Sequence, residues 1–346
     1  MGLKILHSAD WHLGSPFGGF PEDRRQLLRQ EQQKIPGRVA ELARRENCSL
    51  VLLAGDLFDG KPGRDTVEAV KAALEDCGVR VFISPGNHDF CGPGSPWLEE
   101  AWPENVHIFT GGLESVSLPE LDCRLWGAGY KSMDCRALLE DFQAEGPERY
   151  RIGLLHGDPT TANSPCCPIT AAQVRQSGLH YLALGHIHKA GSFHGGQTLC
   201  GWPGCPMGRG WDETGEKGVY LVTLEDTAKI RPLSLDLPRF YRLEGEAQEL
   251  EKMLPAAENG HFYQLTLTGT TGPDITAFLE RLSRFPHLEL TDKREEPLDL
   301  WTDCGQDSLR GVYFRRLREL SQEDPKALLA AEISRRLLEE REVKLP

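Results

Sequence analysis

The chain has 346 residues, of which 39% are hydrophobic and 36 are glycine, and its formal net charge is −13. That length suits about two domains with sizeable cores, and no apolar run of about 18 residues marks a membrane-spanning helix. The acidic balance runs against a broad basic footprint for nucleic acid, and ten cysteines without a C-x2-C pair point to free thiols in a reducing compartment, hence the cytoplasm.

In chain order, residues 4–9 form an apolar, β-rich run that ends at Asp10-x-His12. The chain enters that run directly, which argues against a signal peptide. Residues 22–47 read as helix, with Pro36 breaking it or opening its second part. A second strand-like run, 50–54, leads into Gly55-Asp56. Residues 64–76 form a helix with Val67, Val70 and Leu74 at helical spacing, stopped by Cys77-Gly78. The run 79–84 ends at Gly86-Asn87-His88-Asp89, 151–155 at His156, and 181–184 at Gly185-His186-x-His188. Residues 113–126 and 218–235 are strand-rich. Leu237-Pro238 reads as a hinge, followed by strands at 240–243, 262–268 and 287–290 and helices at 248–254 and 274–284. Amphipathic helices over 307–320 and from Pro325 to about Arg341, with Asp324 as N-cap, close the chain. The expected domains are 1–237, a small α/β unit over 238–300, and a helical segment over 301–346.

Taken singly, D-x-H or G-D is usually a turn, and a His pair is usually a satisfied histidine. Their conjunction at successive strand ends is different. Ligands of an α/β enzyme belong on loops at the carboxyl ends of strands, where rigid elements converge. Imidazole nitrogen mixed with carboxylate and amide oxygen suits Mn, Fe, Zn or Co better than a sulfur-preferring ion. Two decoys fall away. Gly55-x4-Gly60-Lys61 imitates a P-loop, but Pro62 replaces the Ser or Thr that would bind magnesium. Cys166, Cys167, Cys200 and Cys205 lack zinc-knuckle spacing.

The words Leu6-His7-Ser8-Ala9-Asp10-Trp11-His12-Leu13-Gly14, Ala54-Gly55-Asp56-Leu57-Phe58-Asp59, Pro85-Gly86-Asn87-His88-Asp89, Leu155-His156-Gly157 and Leu182-Ala183-Leu184-Gly185-His186-Ile187-His188 resemble the calcineurin-like metallophosphoesterases. Within them, S-A-D-W-H-L-G and A-G-D-L-F-D are similar to the SbcD-type DNA repair exonucleases, which work with SbcC-type ATPases. The resemblance covers roughly residues 1–235. It implies an α/β (α+β) fold: a two-sheet sandwich flanked by helices, with a small α/β capping domain and C-terminal helices. It implies two divalent ions, Mn first, with Fe, Zn, Co or Mg as alternatives. Asp10, His12 and His188 would hold one ion, Asn87, His156 and His186 the other, and Asp56 would bridge them. Hydroxide would then attack phosphorus in line.

The same resemblance makes His88 the group that contacts the scissile phosphate and helps the 3′ oxygen leave; the alternative is an orienting role. Asp89 is the natural carboxylate to fix the His88 tautomer. Asp59 stands between a substrate contact and an exposed loop carboxylate. The Gly201–Gly218 segment carries no assigned role. Implied partners are DNA, an SbcC-type ATPase that the C-terminal helices could grip, and a second copy of the chain; no membrane is implied. Those helices could equally pack on their own domain. Arg24-Arg25, Arg44-Arg45, Arg315-Arg316-x-Arg318 and Arg335-Arg336 read as solvated helix faces. The expected function is metal-dependent DNA phosphodiester hydrolysis by an exonuclease. The alternatives are a phosphoesterase for nucleotides or other small esters, and a non-catalytic scaffold that binds a partner.

Overall fold

A computed structural model describes residues 2–256, 260–270, 272–295 and 298–339. The chain divides into two compact units, Met1–Arg242 with Glu258–Tyr263, and Leu243–Ala257 with Gln264–Pro346.

The first half of the larger unit runs β1 (Leu3–Ser8), α1 (Glu22–Gln32), α2 (Ile35–Arg45), β2 (Leu50–Leu53), α3 (Arg64–Asp76), β3 (Arg80–Ile83), α4 (Pro96–Glu99) and β4 (Val106–Ile108). Pro36 stands in the first turn of α2, where its missing N–H has no helical partner to lose. Then follow β5 (Glu114–Leu118), β6 (Cys123–Gly127), β7 (Tyr150–His156), α5 (Ala171–Gln176), β8 (Tyr181–Gly185), β9 (Gly191–Gly195), β10 (Thr198–Trp202), β11 (Val219–Leu224) and β12 (Ala228–Leu233).

These strands make two six-stranded sheets, in the orders β12-β11-β1-β2-β3-β4 and β5-β6-β7-β8-β10-β9. In the first, β1 through β4 are parallel neighbours. In the second, β6, β7 and β8 are parallel neighbours. Side chains of the central strands are buried on both faces, alternating between two cores. Leu3 and Ile5 of β1, Leu50 and Leu52 of β2, and Leu125, Ile152, Leu154 and Tyr181 of the second sheet fill one core. Leu6, Val51 and Leu53 face the other way, into a core shared with Val39, Leu42, Val70 and Leu74 of the helices. Burial on both faces explains why the strands read as continuous apolar runs.

Parallel pairing has a consequence for chemistry. It brings the carboxyl ends of β1, β2 and β3 side by side, and does the same for β7 and β8. Each predicted ligand lies at or just past one of those ends.

The sequence continues with β13 (Phe240–Gly245), α6 (Ala247–Met253), β14 (Phe262–Leu267), α7 (Ile275–Arg281) and β15 (Leu288–Asp292), and β13-β14-β15 form a three-stranded sheet. The division between units falls within β13, after Arg242. Leu237 and Phe240 are buried in the helix-side core of the larger unit.

In the smaller unit α8 (Leu309–Leu320) and α9 (Pro325–Leu338) close the described chain. Asp324 caps α9 by accepting from the Lys326 N–H. The expected extension to Arg341 lies outside the described residues. Arg335 is not a solvated face residue, as its charge alone suggested. It is 3% exposed, donates to Asp303 at 2.6 Å, and stacks over the Phe314 ring. No described helix is long and apolar enough to cross a membrane.

Candidate metal centre

The loops after β1 and β2 continue pairing past the ends of their strands. The N–H groups of Asp10, His12 and Leu13 donate to the carbonyls of Gly55, Asp56 and Leu57 at 2.9–3.0 Å. That ladder fixes Asp10, His12 and Asp56 relative to one another. It also holds them in left-handed backbone, with φ of 53°, 47° and 52°, and His186 has φ of 90°. This conformation costs about 1–2 kcal/mol for an ordinary L residue, though Asp and His are among its more tolerant occupants. Such strain persists where the surroundings over-determine it, commonly at functional sites. Gly55, with φ of 85°, could not carry a side chain: a Cβ there would lie 2.6 Å from His156 Nδ1. A Cβ on Gly86 would strike the Asp56 carboxylate.

These constraints bring all the proposed ligands together. His12 Nε2 and His188 Nε2 face one another at 3.1 Å, and with Asp10 they form one group able to hold a cation. His156 joins Asp10 and Asp56 in a second such group. Asn87 Oδ1 lies 2.9 Å from His156 Nε2 and 3.2 Å from His186 Nδ1. Asp56 stands between the two sides, with Oδ2 3.7 Å from His12 Nε2 and 3.4 Å from His156 Nε2.

The outer partners settle which nitrogens point inward. His156 Nδ1–H donates to the Ala54 carbonyl at 2.8 Å, leaving Nε2 as the lone pair. His188 Nδ1–H donates to Glu213 at 2.6 Å, with the same result. His12 Nε2 and His188 Nε2 thus converge within 3.1 Å, where one cation could take both nitrogens. Asp10 Oδ2 is buried and makes no hydrogen bond, an arrangement that is expensive for a carboxylate unless a cation takes it. The donor set therefore fits divalent ions. No cysteine enters any three-ligand group among the described residues; Cys166 and Cys167 instead adjoin Cys135.

Charge reinforces the geometry. Burial would raise the Asp56 carboxyl, but the adjacent His156 and His12 hold it below the usual range. Burial would lower His156, yet the Asp56 charge overrides it and raises the imidazole to about 9. A divalent cation competes with that proton for the same lone pair.

His88 is the most exposed member, 42% open at its side chain. Its N–H donates to Asp56 Oδ1 at 2.9 Å, and its ring sits edge-on to His12 at 4.8 Å. With His12 and Asp56 it makes a further group of possible ligands. Its carboxylate partner is not Asp89. His88 Nδ1 meets Asp59 Oδ1 at 3.0 Å, and that contact raises the His88 pKa. The His12 and His88 contacts in turn hold Asp59 well below the carboxylate range. Asp89 turns the other way, accepting from the N–H groups of Gly86 at 2.7 Å, Leu57 at 2.8 Å, and Asp56 and Phe58 at 3.3 Å. It ties the Gly55-Asp56 loop to the Gly86-Asn87 loop. Burial and the Asp56 charge push its carboxyl up to about 7.

Arg209 and Glu213 were missed in the sequence. Besides His188, Glu213 accepts from Arg209 Nη2 at 2.8 Å, and these contacts hold its carboxyl low against burial. The available signal was R-x3-E well beyond the last ligand pair, in a glycine-rich stretch without strand or helix periodicity.

A family model described as calcineurin-like phosphoesterase matches residues 3–190. An uncharacterized metallophosphoesterase of Bacillus subtilis, YhaO, is 34% identical over 239 residues, covering 64% of this chain and 57% of its own. This chain thus matches little more than half the length of that relative. SbcD, a subunit of the SbcCD nuclease of Staphylococcus epidermidis, is 22% identical over 306 residues, with 78% and 80% covered. The DNA double-strand break repair protein Mre11 of Aeropyrum pernix is 40% identical over 90 residues, covering 25% and 21%.

Proposed function

The chain belongs to the calcineurin-like phosphoesterase family, and on that premise we propose that it is a two-metal phosphodiesterase acting on DNA as an exonuclease. The observation that carries DNA over other phosphoesters is the reach of the SbcD likeness. It covers 78% of this chain, well past the end of the family match at residue 190.

Asp10, His12 and His188 would hold one ion, Asn87, His156 and His186 the other, and Asp56 both. When bound, such a pair supplies a nucleophilic hydroxide at neutral pH and neutralises charge on the phosphoryl oxygens. The protein's own residues supply the rest. Asp56 keeps its charge despite burial, which a shared ligand needs. Asp59 takes the Nδ1 proton of His88 in a hydrogen bond and favours the imidazolium, leaving Nε2–H as the free donor. As oxygen bonds to phosphorus and the P–O3′ bond breaks, that proton goes to the departing 3′ oxygen. Asp89 holds the two ligand loops in register, and Glu213 and Arg209 keep His188 in its ring orientation.

The Staphylococcus relative is by name one subunit of a nuclease, so a further subunit is the proposed partner, an ATPase of the SbcC type. Leu309, Val312, Leu337 and Leu338 on α8 and α9 are 88%, 53%, 64% and 48% exposed, an apolar surface suited to that role. The net charge of −13 favours a second reading, hydrolysis of small phosphoesters. Purified protein with Mn is tested on end-labelled DNA beside bis(4-nitrophenyl) phosphate. Cleavage of both is expected; cleavage of the small ester alone would select the second reading.

A further inference from the structure

A cleft of about 180 Å³ opens beside His88, lined by Gly60, Lys61, Phe90, Pro93 and Pro96. Phe90, Pro93 and Pro96 give it an apolar wall, His88, Asp89 and Ser95 add polar groups, and among the described residues Lys61 is its one lysine or arginine. Lys61 is exposed, and its Nζ lies 3.6 Å from where a Cβ on Gly94 would stand. Among the described residues Lys61 makes no ion pair. The nearby Glu99 accepts from the Gly94 N–H at 2.8 Å and forms no ion pair with Lys61 among the described residues. The other cation near His88, Arg209, is already neutralised by Glu213. Lys61 also shares the loop after β2 with Asp56 and Asp59, so its backbone is tied to the reacting centre.

In a protein of net charge −13, DNA must be met by local cations, because salt screens more distant charge beyond about 8 Å. An unpaired ammonium beside the Phe90 side of this cleft has the two chemistries of a nucleotide: charge for a phosphate, and an aromatic wall for a base or sugar. Resting on the DNA reading above, we propose that this cleft takes the leaving nucleoside against Phe90, and that Lys61 binds that nucleoside's 5′ phosphate. The placement follows from His88. The group that protonates the leaving 3′ oxygen borders the cleft, so the nucleoside bearing that oxygen lies there, and its next charge along the strand is the 5′ phosphate. The Gly60-Lys61 pair, which imitates a P-loop in sequence, thus serves phosphate recognition by a different route.

The experiment compares thymidylyl-(3′,5′)-thymidine with and without a 5′ phosphate, using Mn-loaded full-length protein. The wild type is expected to prefer the 5′-phosphorylated dinucleotide by about tenfold in kcat/KM, the scale of one charge-assisted hydrogen bond in a partly solvated site. Lys61→Gln is expected to erase that preference, and Phe90→Leu to lower both dinucleotides while keeping it. No preference in the wild type, or an undiminished one in Lys61→Gln, overturns the assignment. End-labelled DNA in the same assay separates the two readings. If DNA is cut but the preference ignores Lys61, only this subsite fails. If bis(4-nitrophenyl) phosphate is cut and neither DNA nor dinucleotide is, the DNA reading fails with it.

Discussion

The two halves of the metal centre are braced by different means. On the Asn87–His156–His186 side the His156 ring is held by backbone: the Ala54 carbonyl on its Nδ1–H, and the Gly55 and Gly86 backbones pressed against it. On the His12–His188 side the rings meet side chains: Asp59 at 3.7 Å from His12, and on His188 Glu213, itself held by Arg209. Backbone support demands glycine next to each ligand and so writes itself into short words. Side-chain support can come from any distance along the chain. The first half should tolerate loss of a neighbouring side chain; the second should not.

Asp56→Asn should have the largest effect, since this residue touches both halves. Most bound metal and most activity are expected to disappear together from a folded protein. Elemental analysis that still found two ions with near-normal turnover would dissolve the idea of a shared carboxylate. His88→Ala should leave both halves filled and lower turnover on DNA by roughly 10² or more. The loss should be milder on a nitrophenyl ester, whose leaving group needs less help from a proton. Metal loss matching that of Asp56→Asn would make His88 a ligand, as its position beside His12 and Asp56 allows.

Glu213→Gln sharpens the comparison. It keeps the size of the side chain but removes the charge on the His188 Nδ1–H. Removing an outer partner of this kind costs about 10–100-fold in metal affinity or activity. The loss should fall on one ion, read as two separated affinities in a calorimetric titration; equal weakening of both ions would mean that the halves are not independently braced.

Asp59→Asn should be the mildest change, a few-fold in kcat near neutrality on the scale of one lost neutral-for-charged contact. Its signature lies in pH. Asp59 raises the pKa of His88, so the acid form persists to higher pH in the wild type. Without that charge, the alkaline limb of kcat should move to lower pH. An unmoved limb would deny His88 the role of acid.

What was legible follows the same division. The central parallel strands of the two sheets were readable because burial on both faces makes them unbroken apolar runs, as in Leu50–Leu53. The candidate ligands were readable because each follows such a run, and Asp56, Asn87, His156 and His186 also adjoin a glycine that the packing demands. The β9–β10 hairpin was not, since β9 alternates exposed Ser192 and His194 with Phe193 over only a few residues. The support of His88 was read to the wrong neighbour. Asp89 follows it in sequence, but on a tight turn adjacent side chains point apart. Asp89 reaches the amides of residues 56–58, while Asp59 arrives from another loop. Glu213 was missed for a related reason. It lies 25 residues beyond His188 on a stretch without periodicity, and only the fold returns it to the ring.

The central claim is a pair of ions sharing Asp56. Anomalous diffraction from crystals of the Mn-loaded protein tests it most directly. Two scatterers about 3.5–4 Å apart are expected, with Asp56 between them, His188 on one and His156 on the other. A single scatterer, or two that share no Asp56 oxygen, would contradict it.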